Sequence, residues 1–186
     1  AITVDSDTST NDMVSLFSTG KAKHPVIENI LDPKLKNFEN KLHEVMLNLS
    51  KQIIRDGEGA KKIITINVSK AQNQKAAKNI AFSVANSPLV KTAIAGEDPN
   101  WGRLVMAIGK SGENINLNKL NIAFGDFKII KNGELINNYD EAIIKEYMQW
   151  DSIVINIEIN IGEGNFTSYT CDLTKDYVDI NTDYRN

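Results

Sequence analysis

Apolar residues recur along this chain at two spacings, and each spacing predicts a different kind of element. From Leu35 to Ile54 they fall at three- and four-residue steps through Phe38, Leu42, Val45, Met46, Leu49 and Ile53, the period of one helix face. Asp32 before Pro33 supplies an N-cap and a first helical residue. Gly57 is the expected stop, because glycine accepts the left-handed conformation past a helix end. So continuous a stripe predicts a face buried in the core. Upstream, Ile2–Val4 reads as a short strand, the polar run from Asp5 to Asp12 as a loop or cap, and Met13, Val14, Leu16 and Phe17 as a short helix ending near Gly20.

Beyond Gly59 the period changes. Ile63–Val68 is a β-branched strand suited to a buried sheet, and Ala76, Ala77, Ile80, Ala81 and Val84 mark a helix whose small residues allow close packing. Ser87-Pro88 caps a short helix to Ala95. The segment from Gly96 to Arg103 is a loop, followed by a helix ending near Gly109 or Gly112. Leu120–Phe124 and Phe127–Ile130 are strands, and Asn132-Gly133 is a hairpin turn before Leu135-Ile136. Asp140 caps a helix through Met148, and Ile153 to Ile161 alternates as a half-buried antiparallel strand does. Gly162–Asn165 turns the chain into a partner strand, Phe166–Cys171, before a tail rich in Asp, Tyr and Asn. No repeat, linker or composition break interrupts the 186 residues. The pattern predicts one domain, residues 1–186, of α+β class with mixed sheets and packed helices.

Composition narrows the partners. With 21 basic and 24 acidic side chains the net charge is −3, and the lysines are scattered, so there is no electrostatic footprint for nucleic acid. No apolar run approaches the ~20 residues that cross a bilayer. Cys171 has no second cysteine to pair with, which favours a reducing, cytoplasmic location. The chain opens at Ala1 within a β-branched run and without methionine, as a processed or truncated piece would.

Standard catalytic signatures are absent: there is no phosphate loop, dinucleotide fingerprint or nucleophile elbow. His24 and His43 lie on different segments and read as surface residues. Cys171 at a strand end reads as a small buried side chain. Three polar segments remain. Arg55-Asp56-Gly57-Glu58-Gly59-Ala60-Lys61 sets Glu58 between two glycines, as a site for a substrate ammonium or as a solvated acid after a helix end. Around Trp101, Asn100 and Arg103 the loop either lines a pocket or anchors a turn. The third is Asp5 to Asp12.

Taken in order, Ile2–Asp12, Arg55–Lys61, Ser87-Pro88-Leu89-Val90-Lys91-Thr92-Ala93, Gly96–Arg103 and Cys171–Asn181 resemble the glutamate N-acetyltransferase (ornithine acetyltransferase) family of arginine biosynthesis. The resemblance runs through the whole chain and implies the fold of that self-cleaving, threonine-nucleophile family. It implies a precursor cut before a threonine into α and β chains, the new terminal threonine being the nucleophile and its own amine the base. Acetyl then passes from N-acetylornithine to the threonine and on to glutamate. No metal or prosthetic group is implied, although some members also accept acetyl-CoA as donor. Glu58 matches the family's substrate-binding glutamate, Asn181 its substrate-binding asparagine, and Asn186 the substrate-binding terminal position, where Thr or Ser is usual. Ser6 replaces a usual glycine and Pro99 a frequent alanine.

The segment matching the nucleophilic threonine lies upstream of Ala1, so no catalytic residue is assigned here and Thr3, Thr8 and Thr10 are not substitutes. The α chain, which the resemblance credits with the oxyanion donors and a substrate-contacting lysine, is the implied partner, in a higher αβ oligomer. Two other readings stand beside this one: an amidase or aminopeptidase relative of the threonine-nucleophile class, and a domain without catalytic activity in isolation.

Overall fold

The structure is a computed structural model and describes residues 1–8, 13–137 and 140–183. A 3-10 turn, Pro33–Leu35, leads into α1 (Lys36–Arg55). Then come β1 (Ile63–Ala71), α2 (Gln74–Ala85), α3 (Pro88–Ala95), α4 (Trp101–Gly109), β2 (Asn121–Phe124), β3 (Phe127–Lys131), β4 (Glu134–Leu135), α5 (Glu141–Tyr147), β5 (Ser152–Glu158), β6 (Gly164–Cys171) and α6 (Lys175–Asp183). The strands form one mixed sheet in the order β4-β3-β2-β5-β1-β6. Among the described strands only β1 and β5 pair in parallel. The alternation in Ile153–Ile161 predicted an antiparallel strand; β5 is antiparallel to β2 but lies parallel to β1 on its other side.

One face of this sheet is apolar row by row. Ile64, Ile66 and Val68 of β1 stand beside Ile153, Ile155 and Ile157 of β5, with Ile122 and Phe124 of β2 next in register, and all are buried. α2 and α4 cover them with Ala77, Ile80, Ala81, Val84, Leu104, Ala107 and Ile108. The alanines bring α2 close to the strands, and each fully buried isoleucine contributes about 1.5–3 kcal/mol. The opposite face carries a polar row. Thr167 Oγ1 donates to Asn67 Oδ1 (2.9 Å), Asn67 Nδ2 to Asn156 Oδ1 (2.9 Å), and Asn156 Nδ2 to the Gly125 carbonyl (2.8 Å).

The caps predicted from sequence form. Asp32, Ser87 and Asp140 each accept a backbone N–H at a helix start, and Asn100, in a segment expected to be loop, does the same for α4. Asn132 and Gly133 both take positive φ (51° and 80°), as a tight hairpin requires.

Other expectations fail. Ile2–Val4 is not a strand of the sheet but makes an isolated bridge through Ile2 to Tyr169, and Trp101–Arg103 open α4 rather than ending the loop before it. The Met13–Phe17 segment is not helical and its side chains are exposed; so short an apolar group cannot offset helix nucleation without a surface to pack on. α1 forms where expected, yet of its stripe only Ile54 is buried, while Phe38, Val45, Met46 and Leu49 are each half exposed or more. The helix meets the sheet through its C-terminal end and leaves the rest of that face without a partner among the described residues. Finally, α1 ends at Arg55 and Gly57 is not left-handed; the glycine that takes positive φ is Gly59 (+66°).

Candidate functional site

The tail that lacked a readable period folds into α6, and this helix builds the site. Its N-terminal end packs on Gly59 so closely that a Cβ there would stand 2.5 Å from the Tyr177 backbone nitrogen. Thr174 Oγ1 donates to the Gly59 carbonyl (2.7 Å) and Lys61 Nζ to Asp176 (2.8 Å). The loop after α1 and the first turn of α6 are therefore one unit, and Glu58 and Asn181 meet across it. Asn181 Nδ2 donates to Glu58 Oε2 at 2.6 Å and to the Tyr177 carbonyl at 2.9 Å. Its amide donors are thereby directed inward. Asn181 Oδ1 and Glu58 Oε1, both acceptors, have no hydrogen bond among the described residues.

Carboxylates cluster beside this pair, with the Lys61–Asp176 ion pair alongside. Tyr177 Oη donates to Asp5 Oδ2 (3.0 Å). Burial, then Asp5 with Asp7 and Glu58, pushes the tyrosine hydroxyl above its ordinary pKa, so three carboxylates act on one phenol. An exposed pair of acceptors beside such carboxylates suits an ammonium, which brings donors and positive charge.

Beneath the surface lies a buried polar knot that sequence reasoning did not single out. Asp172 Oδ1 accepts from the backbone N–H groups of Lys61 (2.8 Å) and Lys62 (2.9 Å), and its own N–H donates to the Lys62 carbonyl (3.2 Å). Lys91, 3% exposed, donates through Nζ to the Val4 carbonyl and to Thr170 Oγ1 (3.4 Å). A lysine amid Leu89, Val90, Ala93 and Ile94 was the available signal. Burial holds its pKa below the ordinary lysine value.

The other expectations sort as follows. Glu58 and Asn181, quoted from separate motifs 123 positions apart, come together; Asn186 lies outside the described residues, as does the end of the Asp5–Asp12 run. Asn100 caps α4, and Arg103 Nη1 donates to the Leu89 carbonyl (2.8 Å), so that loop anchors α3 to α4 rather than forming part of the pair's surroundings. His24 and His43 are exposed and Cys171 is buried. Among the described residues no group of three His, Cys, Asp or Glu side chains is arranged to hold a metal ion, and no helix is long and apolar enough to cross a membrane. An open groove of about 830 Å³ runs between α1 and the start of the 13–31 segment, lined by Met13, Val14, Leu49 and Ile53 among others.

A mixed sheet covered on one face by helices, with a carboxylate–amide pair where α6 meets the loop after α1, defines a protein of α+β class. The family model of the ArgJ family matches residues 1–186. The chain is 50% identical over 189 residues to the arginine biosynthesis bifunctional protein ArgJ of Rhizobium meliloti (strain 1021), covering all of this chain and 46% of that protein. It is 48% identical to the protein of the same name from Gluconobacter oxydans (strain 621H), covering 44% of it. The crystal structure of the argJ protein from Bacillus halodurans superposes with a TM-score of 0.92 at 41% identity, over 98% of this chain and 85% of that one. This chain belongs to the ArgJ family. It spans less than half the length of the curated relatives named here.

Proposed function

We propose that this chain is most of the β chain of an acetyltransferase that moves acetyl from N-acetylornithine to glutamate, and that Glu58 and Asn181 bind the free side-chain ammonium of the donor. The observation that carries the reading is their 2.6 Å contact beside a cluster of carboxylates, within an ArgJ-family fold. Glu58 Oε1 and Asn181 Oδ1, left without a hydrogen bond among the described residues, are the acceptors for two ammonium N–H groups, and the opposite charge offsets the cost of taking that ammonium out of water.

The bound ammonium orients the acetamide toward a threonine outside this chain. There the threonine oxygen attacks the acetyl carbon, the carbon–nitrogen bond breaks, and the proton from the hydroxyl leaves with the ornithine amine. The α-amine of glutamate then attacks the acetyl-threonine ester and the carbon–oxygen bond breaks, restoring the hydroxyl. Acetyl-CoA fits the same scheme as an alternative donor, since it too would leave acetyl on the threonine. No metal or prosthetic group enters these steps, and the setting is cytoplasmic.

The partner in this reading is the other half of the precursor. Matched lengths support it: 189 residues are 46% of the first relative, which makes that protein about 410 residues long. The crystallised Bacillus halodurans chain, of which 98% of this chain fills 85%, runs to only roughly 215. The uncovered α1 stripe and the groove beside Met13 supply an apolar surface for that other half.

Replacing Glu58 by Gln in the full-length protein removes the charge and keeps the shape. The KM for N-acetylornithine is expected to rise about tenfold or more with self-cleavage retained. An unaltered KM would remove Glu58 from the site.

A further inference from the structure

Lys91 is 3% exposed on a helix whose other inward residues are apolar, and a methionine of similar length would fill the same space without a buried charge. Its ammonium does not face the candidate site, yet both halves of that site depend on the atom it holds. The segment from Ala1 to Asp5 is not a strand of the sheet. It is fixed by one bridge, Ile2 to Tyr169, by Thr3 Oγ1 donating to Asn86 Oδ1 (2.7 Å), and by the Lys91 ammonium on the Val4 carbonyl.

From Val4 two connections lead outward. The Val4 side chain packs on Gly57, where an added Cβ would stand 3.3 Å from Val4 Cγ1, and Gly57 precedes Glu58. The next residue, Asp5, accepts from Tyr177 Oη (3.0 Å), and the Tyr177 carbonyl accepts from Asn181 (2.9 Å). The backbone carbonyl of Lys91 also accepts from Leu173 N–H (3.3 Å), at the lead into α6. The buried Lys91 ammonium thus joins the Ile2 bridge, the Thr3 hydrogen bond and the packing of Val4 on Ile54, Ile63 and Cys171 in setting the segment that contacts both the loop bearing Glu58 and the helix bearing Asn181.

We propose that Lys91 is a positioning residue for ammonium binding, acting through Val4 and Asp5 to hold Glu58 and Asn181 at their contact distance. It touches neither substrate nor reacting atoms. The role rests on the function proposed above, and its test separates the two.

In the full-length protein, Lys91→Met keeps the apolar stem and removes the donor. The expected result is a KM for N-acetylornithine raised about tenfold with kcat changed less, and no further rise when Lys91→Met is added to Glu58→Gln. A purely structural lysine would lower the thermal midpoint and multiply its KM effect, if any, with that of Glu58→Gln. Such multiplication, or a KM within about twofold of wild type, overturns the role. Should Lys91→Met fail to fold, Tyr177→Phe, which deletes one hydroxyl further along the same connection, is expected to show the same non-additivity and overturns the role if it does not. Wild-type turnover of N-acetylornithine is measured first. Its absence removes the proposed function and this inference with it, whereas turnover with independent effects removes only the part assigned to Lys91.

Discussion

Substituting Gly59 by Ala tests the union of the α1 loop with α6. The residue has φ +66°, which costs an alanine about 1–2 kcal/mol. The larger effect is steric. The new Cβ would stand 2.5 Å from the Tyr177 nitrogen and 2.9 Å from the Asp176 carbonyl carbon, both backbone atoms, so α6 has to retreat by about 1 Å to reach ordinary contact. That shift breaks or stretches the Thr174 bond to the Gly59 carbonyl and the Asn181 bond to Glu58, each worth about 0.5–1.5 kcal/mol. The total is about 2–5 kcal/mol. Gly112→Ala is the matched control, since Gly112 has φ +74° with nothing within 4 Å of an added Cβ. In the full-length protein, both variants are measured by thermal unfolding and by titration with ornithine. Gly112→Ala is expected to lose only the dihedral cost and keep its affinity. Gly59→Ala should lose more stability and bind ornithine about tenfold or more weakly, since one broken charged contact of 1.4 kcal/mol is a factor of ten. Equal stability losses with equal affinities would refute the claim that α6 positions Asn181 by packing on Gly59.

Further outcomes follow from the same contacts. Met46, half exposed on the α1 ridge, is expected to oxidise in the native full-length protein more slowly than in the unfolded one, independently of protein concentration, if the other half of the polypeptide covers it as proposed. Rapid oxidation, or protection that grows with concentration, would argue against that partner. Burial first, against the pull of Lys91, pushes the Cys171 thiol up, so alkylation at pH 8 should run about a hundredfold slower than in denaturant, reporting local opening; equal rates would contradict its burial. Glu158 is held below its ordinary pKa by Asn121 and then Lys70. It stabilises the fold above its unfolded pKa of about 4.5, and this is lost as pH falls through the lower folded value. Screening keeps the effect below about 1 kcal/mol, so Glu158→Gln should be slightly less stable than wild type at pH 7 and no different in strong acid, by urea unfolding at each pH.

The strands of the sheet, α2 through α5, and the caps Ser87 and Asp140 were legible in the sequence because period, cap residue and burial agreed there, whereas the caps Asn73 and Asn100 were not. Ser87-Pro88 and Asn132-Gly133 act through local geometry that needs no partner. α1 was legible as a helix but not as an exposed one, since an apolar stripe carries the same signal whether its cover lies within the chain or beyond it. α6 was illegible for the opposite reason. It buries no residue and exists through contacts with Gly59, Lys61 and Asp5, which are distant in sequence. Glu58 and Asn181 were identified through family resemblance, whereas their meeting required α6. Lys91 gave only the weak signal of a charge inside an apolar run and Asp172 gave none, and the contacts they make are set by the tertiary fold.

The account turns on acetyl moving between two amines. The most direct measurement supplies the full-length protein with N-acetylornithine labelled in its acetyl carbon, together with glutamate, and follows the label by mass spectrometry. The expected result is labelled N-acetylglutamate and free ornithine in equal amounts. Labelled acetate with glutamate untouched would mean hydrolysis, as an amidase performs, and would contradict the transfer.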